Sequence, residues 1–284
     1  MLNWARDGGD WPNREASSFV DAGGLRFHVQ IMGQGPVLLL LHGTGAASHS
    51  FRDLAPDLAQ EFTVVVPDLP GHGFSASPGS PQMALNPMAM AVADLLAVLG
   101  LSPAAVVGHS AGAAIGARMI LDGKINPTRL ISLNGALLPI PGMTGAFYGS
   151  MAKMMALMPG MPWFFAFGAQ DRTTLASMIE STGSRLGPRG LSLYRRLLKN
   201  PVLMSNVLGM MANWDLDPLA AELPRLGERL VLIAADGDRA VPPKVAAKIA
   251  RLVPGARTIT QPGLGHLAHE EDPAGTAALI RAAV

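Results

Sequence analysis

The chain has 284 residues, 49% apolar and 15% charged, enough for one large α/β domain with a sizeable core. Its formal charge is +1, with 22 Lys and Arg against 21 Asp and Glu, which leaves no basic footprint for nucleic acid. Cysteine is absent, so disulfides, thiol catalysis and cysteine-ligated zinc are excluded, and a reducing compartment is permitted.

The first fourteen residues carry Arg6, Asp7, Asp10 and Arg14 and lack the apolar stretch of a signal peptide. Residues 19–31 read as a hairpin around Ala22-Gly23-Gly24. The continuous aliphatic run 37–41 predicts a strand buried on both faces, as in a parallel sheet; it is too short to span a membrane. A helix over 50–60, a strand over 63–67, a helix over 88–99 and a strand over 104–107 follow. Then come a helix over 113–121 and a strand over 129–133. The alternation breaks after about residue 134 and resumes with strands over 229–234 and 257–260 and helices over 243–252 and 273–283. The expectation is therefore one α/β core, a mostly parallel eight-stranded sheet flanked by helices, formed by 1–134 and 222–284. Residues 135–221 are an inserted helical lid.

Gly108-His109-Ser110-Ala111-Gly112 is a G-x-S-x-G pattern between an apolar strand and an Ala-rich helix. A serine on such a turn needs small neighbours, because the following helix passes close to the strand. Serine also needs a base, and His266 in Gly263-Leu264-Gly265-His266 leaves the last strand at the carboxyl edge of the sheet. His269 reads as a surface or helix-entry residue. The acid that orients the base should lie between the two in sequence. Asp236 and Asp238 both qualify, and Asp238 is preferred because it precedes the turn into the next helix, with Asp236 shaping the turn. Backbone N–H groups of Ala111 and of Thr44, with Gly43 as the alternative, are the expected oxyanion hole. Asp68 in Asp68-Leu69-Pro70-Gly71-His72-Gly73 reads as a loop cap, and His72 as part of a glycine turn. No pattern for a metal or a cofactor is present, and Arg195, Arg196 and Lys199 read as a solvated helix face.

Together these motifs resemble the α/β-hydrolase superfamily over nearly the whole chain. Within it, Asp10-Trp11-Pro12-Asn13-Arg14-Glu15, His42-Gly43-Thr44-Gly45-Ala46, Asn134-Gly135-Ala136-Leu137-Leu138-Pro139 and the residues from Gly265 to Pro273 resemble the BchO family. Those are accessory proteins of magnesium chelatase in bacteriochlorophyll synthesis. The resemblance implies a setting near magnesium insertion into protoporphyrin, with chelatase subunits as partners and a tetrapyrrole as ligand. It does not supply a reaction.

The lid segment is unusual. Ten of the 16 Met residues fall between Met143 and Met211, and Lys153 is the one charged side chain from Leu130 to Gln170. Three readings compete: a lid whose inner face is ordinary core, a broad apolar pocket, and a face that rests on a membrane. The pocket reading puts Met151, Met154, Met155, Met158, Trp163, Phe164 and Phe167 around a large apolar ligand. Two functions are carried forward: from the motifs, a serine hydrolase acting on an ester, thioester or C–C bond, and, as the resemblance implies, a non-catalytic porphyrin-binding accessory protein of magnesium chelatase. Haloalkane dehalogenase and epoxide hydrolase chemistry is disfavoured, since it needs a carboxylate where Ser110 stands.

Overall fold

The computed structural model describes residues 2–139, 158 and 160–284. Eight strands form one sheet: β1 Ser17–Ala22, β2 Leu25–Met32, β3 Val37–Leu41, β4 Thr63–Pro67, β5 Ala105–His109, β6 Arg129–Leu133, β7 Leu230–Ala235 and β8 Arg257–Gln261. Their order is β1-β2-β4-β3-β5-β6-β7-β8. The β1–β2 hairpin and the β2–β4 pairing are antiparallel, and every other pairing is parallel.

The aliphatic runs are continuous because both faces of the sheet are covered. Along β3, Leu39 and Leu41 pack with Val65 and Val106 against the helices Leu85–Leu99 and Ala111–Leu121. Leu38 and Leu40 point the other way, into a cluster with Phe51, Leu54, Leu58 and Ile280. All four leucines are fully buried, and each is worth roughly 1.5–3 kcal/mol of burial free energy. A charge at any of them would therefore break a core layer rather than a surface.

Most expected elements form within a few residues of their predicted ends. The helix expected over 50–60 is instead a tight turn at Ser48–Phe51 followed by the short helix Leu54–Leu58. Between β6 and β7 the described residues form the helices Met161–Gly168, Arg172–Ser181, Pro188–Leu198, Pro201–Asn213 and Asp217–Glu222. Proline at the first turn starts four of these five, where its missing N–H costs nothing. No helix among the described residues is long and apolar enough to cross a membrane.

Candidate active site

Strand order reverses between β3 and β5: the chain steps from β3 to β4 on one side, then returns to β5 on the other. In an open parallel sheet that reversal leaves a crevice beyond the carboxyl ends of the two strands. Leu41 is paired with Gly108, so His42-Gly43-Thr44 and Ser110 emerge side by side into it.

Ser110 sits on the turn from β5 into the Ala111–Leu121 helix, with φ +50° and ψ −118°. For a residue with a side chain this conformation costs on the order of 1–3 kcal/mol, so the surroundings must enforce it. They do so through main-chain bonds: the Ser110 N–H donates to the Leu133 carbonyl, and the Ser110 carbonyl accepts from Ala113 and Ala136. The flanking glycines are steric necessities. A Cβ on Gly108 would lie 2.4 Å from the Ala113 backbone, and one on Gly112 would lie 2.2 Å from the Leu41 carbonyl oxygen.

The two aspartates after β7 have different partners. Asp238 is 4% exposed, and its Oδ2 accepts from His266 Nδ1 at 2.8 Å. Because a carboxylate only accepts here, the proton is on Nδ1, and Nε2 is the nitrogen left with a free lone pair. Asp238 Oδ1 accepts from the Ala240 and Val241 N–H groups, each at 2.8 Å, which fixes the carboxylate itself. Asp236 instead accepts from the Gly263 N–H at 2.7 Å and braces the histidine loop from outside.

On the other wall, a Cβ at Gly43 would stand 2.9 Å from Ser110 Cβ, so only glycine lets this loop approach the serine. Thr44 is exposed within a run otherwise buried from Leu38 to Ser50, and its hydroxyl donates to Met210 Sδ at 3.5 Å. Ala111 is the first residue of its helix, so its N–H has no partner within that helix and faces the crevice end. Just behind, His42 Nε2 accepts from the Leu69 N–H at 2.9 Å and its Nδ1–H donates to the Gly43 carbonyl at 2.8 Å. Because Nε2 accepts, the ring is neutral, and burial pushes His42 down in the same sense.

Two residues quoted within motifs but given no role of their own tie the loops together. Asn134, in the left-handed region at φ +46°, donates through Nδ2 to the carbonyls of Gly265 and His266, both at 2.9 Å. Its Oδ1 accepts from the Ala235 N–H at 2.8 Å, so one amide spans the strand before Asp238 and the loop of His266. His109 Nε2–H donates to the same His266 carbonyl at 2.9 Å, and its ring stacks 4.8 Å from that of His266. The main chain of His266 is therefore held by the residue before Ser110 and by the residue after Leu133, which itself binds the Ser110 N–H. The sequence signal for Asn134 is the Asn134-Gly135-Ala136 run of the family resemblance, which names no partner for its amide.

Two surface expectations are corrected. His269 is buried, 2% exposed, with its ring 4.4 Å from that of His109. It meets Ser50 Oγ at 2.8 Å, in a network where Glu270 accepts from Ser50 and Tyr194 (both 2.7 Å) and pairs with Arg52. Burial pushes the Glu270 carboxyl up and Arg52 opposes it; burial also pushes His269 down to about 3. Removing one side of the Arg52–Glu270 pair costs roughly 3–5 kcal/mol, and the Tyr194 hydroxyl ties the Pro188–Leu198 helix to it. Arg196 on that helix is not merely solvated: it grips Asp10 with two bonds, at 2.6 and 2.7 Å.

Asp68 lies at the centre of a second buried knot. Its oxygens accept from the Ser48 and Phe74 N–H groups and from His28 Nδ1 at 2.8 Å. This pair, like His72, whose Nδ1–H donates to the Pro70 carbonyl, joins loops and does not reach Ser110. Of the expected pocket residues, Met151, Met154 and Met155 lie outside the described residues. Met158 is 47% exposed, and Trp163, Phe164 and Phe167 are 70, 69 and 74% exposed, so these four are open to solvent rather than part of the core. Among the described residues no group of three or more His, Cys, Asp or Glu could hold a metal ion.

Residues 36–273 match the family model of the alpha/beta hydrolase fold. The chain belongs to the α/β-hydrolase fold family. It is 40% identical over 274 residues to the magnesium-chelatase 30 kDa subunit of Rhodobacter capsulatus, covering 95% of each chain. It is also 28% identical over 273 residues to a pyrrolizixenacetamide deacetylase of Xenorhabdus hominickii, covering 92% of this chain and 96% of that one. An esterase from Exiguobacterium antarcticum superimposes with a TM-score of 0.76 at 18% identity, covering 93% of this chain and 98% of that one, which is a likeness of fold.

Proposed function

We propose that the protein is a serine hydrolase that works beside magnesium-porphyrin chemistry, with Ser110 as nucleophile, His266 as general base and Asp238 as the acid that orients it. The observation that carries this reading is the 2.8 Å bond from His266 Nδ1 to a buried, doubly braced Asp238. That bond fixes the tautomer in which Nε2 can take the proton of a serine hydroxyl. Ser110 on its strained elbow then attacks an ester or thioester carbonyl, and the oxyanion meets the N–H groups of Ala111 and Thr44, with Gly43 as the alternative second donor. The protonated His266 gives its proton to the departing alcohol or thiol. Water, deprotonated by the same nitrogen, releases the acid and restores Ser110. C–C bond hydrolysis fits the same residues with a ketone as the electrophile.

The setting is supported by the relative named as a magnesium-chelatase subunit. Chelatase subunits are the proposed protein partners and a large apolar molecule of tetrapyrrole type the proposed ligand, at the cytoplasmic side of the photosynthetic membrane. Residues 135–221 form the proposed cap over the crevice, since Met210 on the Pro201–Asn213 helix already touches Thr44. A non-catalytic accessory role is the rival. Complementation in a strain lacking the protein separates the two: Ser110→Ala, folded as the parent, should fail to restore pigment synthesis. Full rescue by Ser110→Ala would assign the biological role to binding instead.

A further inference from the structure

We infer that the outward face of the Met161–Gly168 helix docks on an anionic lipid bilayer. Trp163, Phe164 and Phe167 are 70, 69 and 74% exposed, and spacings of three and four residues put them on one side of the helix. Ala166, off that side, is buried, and the helix packs against Pro201–Asn213. A lone exposed apolar residue is ordinary, but three adjacent aromatic rings on one short helix form a patch that marks an interaction. Tryptophan beside phenylalanine is the composition favoured at the boundary between lipid tails and headgroups.

The surrounding charge selects the occupant. Arg195 Nε–H donates to the Gln170 carbonyl at 2.8 Å, which sets a guanidinium at the end of the aromatic helix, and Arg172 is exposed just beyond. Residues 160–200 carry six Lys and Arg against two Asp and Glu, while the rest of the chain carries 16 against 19. Of those six, Arg195 and Arg172 lie at the end of the aromatic helix, while Arg196 is paired with Asp10, and the rest of the chain is slightly acidic. A bilayer with anionic headgroups satisfies both features, with rings in the apolar boundary and cations at the phosphates. A second copy of the chain docked on the same face would set like charges against each other. Docking in this way involves no spanning segment and does not depend on hydrolysis by Ser110.

The full-length protein is sedimented with sucrose-loaded vesicles of phosphatidylcholine alone and of phosphatidylcholine with phosphatidylglycerol in equal parts. Binding is expected to the mixed vesicles, to weaken with salt, and to be much lower on phosphatidylcholine alone. Trp163→Asp with Phe167→Asp should lower vesicle partition by about tenfold or more. Arg172→Glu should lower it only on the anionic vesicles. Thermal unfolding of each variant checks the fold. Equal partition of parent and double variant would overturn the inference, and so would failure of the parent to sediment with anionic vesicles. A concentration-dependent dimer abolished by Trp163→Asp would assign the face to self-association and overturn it as well.

Discussion

Replacing Asp238 with Asn should lower turnover by about 10⁴-fold while leaving the fold intact. The fold survives because Asn keeps an Oδ1 able to accept from the Ala240 and Val241 N–H groups, which hold the side chain now. Chemistry suffers because the amide nitrogen then faces His266 Nδ1 and donates to it. The imidazole responds by moving its proton to Nε2, so the lone pair that would receive the Ser110 proton is gone. Asp236→Asn is the matched control. Asp236 is exposed and contacts the Gly263 N–H rather than the imidazole, so its effect should stay within about twofold. Steady-state hydrolysis of a chromogenic ester by the two variants checks the pair; equal losses would remove the acid assignment.

Acid should unfold this protein unusually early. All seven histidines are buried. Burial pushes His72 and His269 down to about 3 from 6.5, and lowers His42, His49 and His109 in the same direction. Such groups stay neutral in the folded chain but take up protons once unfolded. Their contribution is therefore fully present above pH 6.5 and is lost as pH falls toward 3. Each costs about 1.4 kcal/mol per pH unit, so His72 and His269 alone remove roughly 4 kcal/mol between pH 6.5 and pH 5. Glu270, pushed up by burial, works in the opposite sense, but as one group against five. For a chain of this size a loss of 4 kcal/mol lowers the melting temperature by roughly 8 °C or more. Circular dichroism melts at pH 7.5 and pH 5 make the comparison. Equal melting temperatures would contradict the account of the buried histidines.

What the sequence makes legible is what depends on chain-local geometry. The elbow is readable because Gly108 and Gly112 are demanded by atoms within a few residues of them and by one strand, β3. The parallel sheet is readable because strands covered on both faces, such as Leu38 to Leu41, lose the alternation that a half-exposed strand would keep. Asp238 and Asp236 could be ranked but not separated, since the 2.8 Å bond depends on where the β8 loop returns.

The residues missed are those whose partners are far away in sequence. Asn134 reaches 131 and 132 residues to its carbonyls, and Ser50 reaches 219 to His269. No local pattern separates such an asparagine from one in a turn, or a buried His269 from one that opens a surface helix. Trp163, Phe164 and Phe167 fit the core, pocket and membrane-face readings alike, because a stretch with one charged side chain has no polar side to orient it. Their outward orientation is visible only once the helix is packed against its neighbour.

The central claim, that Ser110 is an activated nucleophile, is tested most directly by covalent labelling. The native protein is treated with a fluorophosphonate, digested, and the modified peptide mapped by mass spectrometry. A single adduct on Ser110 is expected, absent from the Ser110→Ala variant and slowed by several orders of magnitude in Asp238→Asn. No adduct on Ser110 in a folded preparation, or equal labelling of the Ser110→Ala variant, would contradict it.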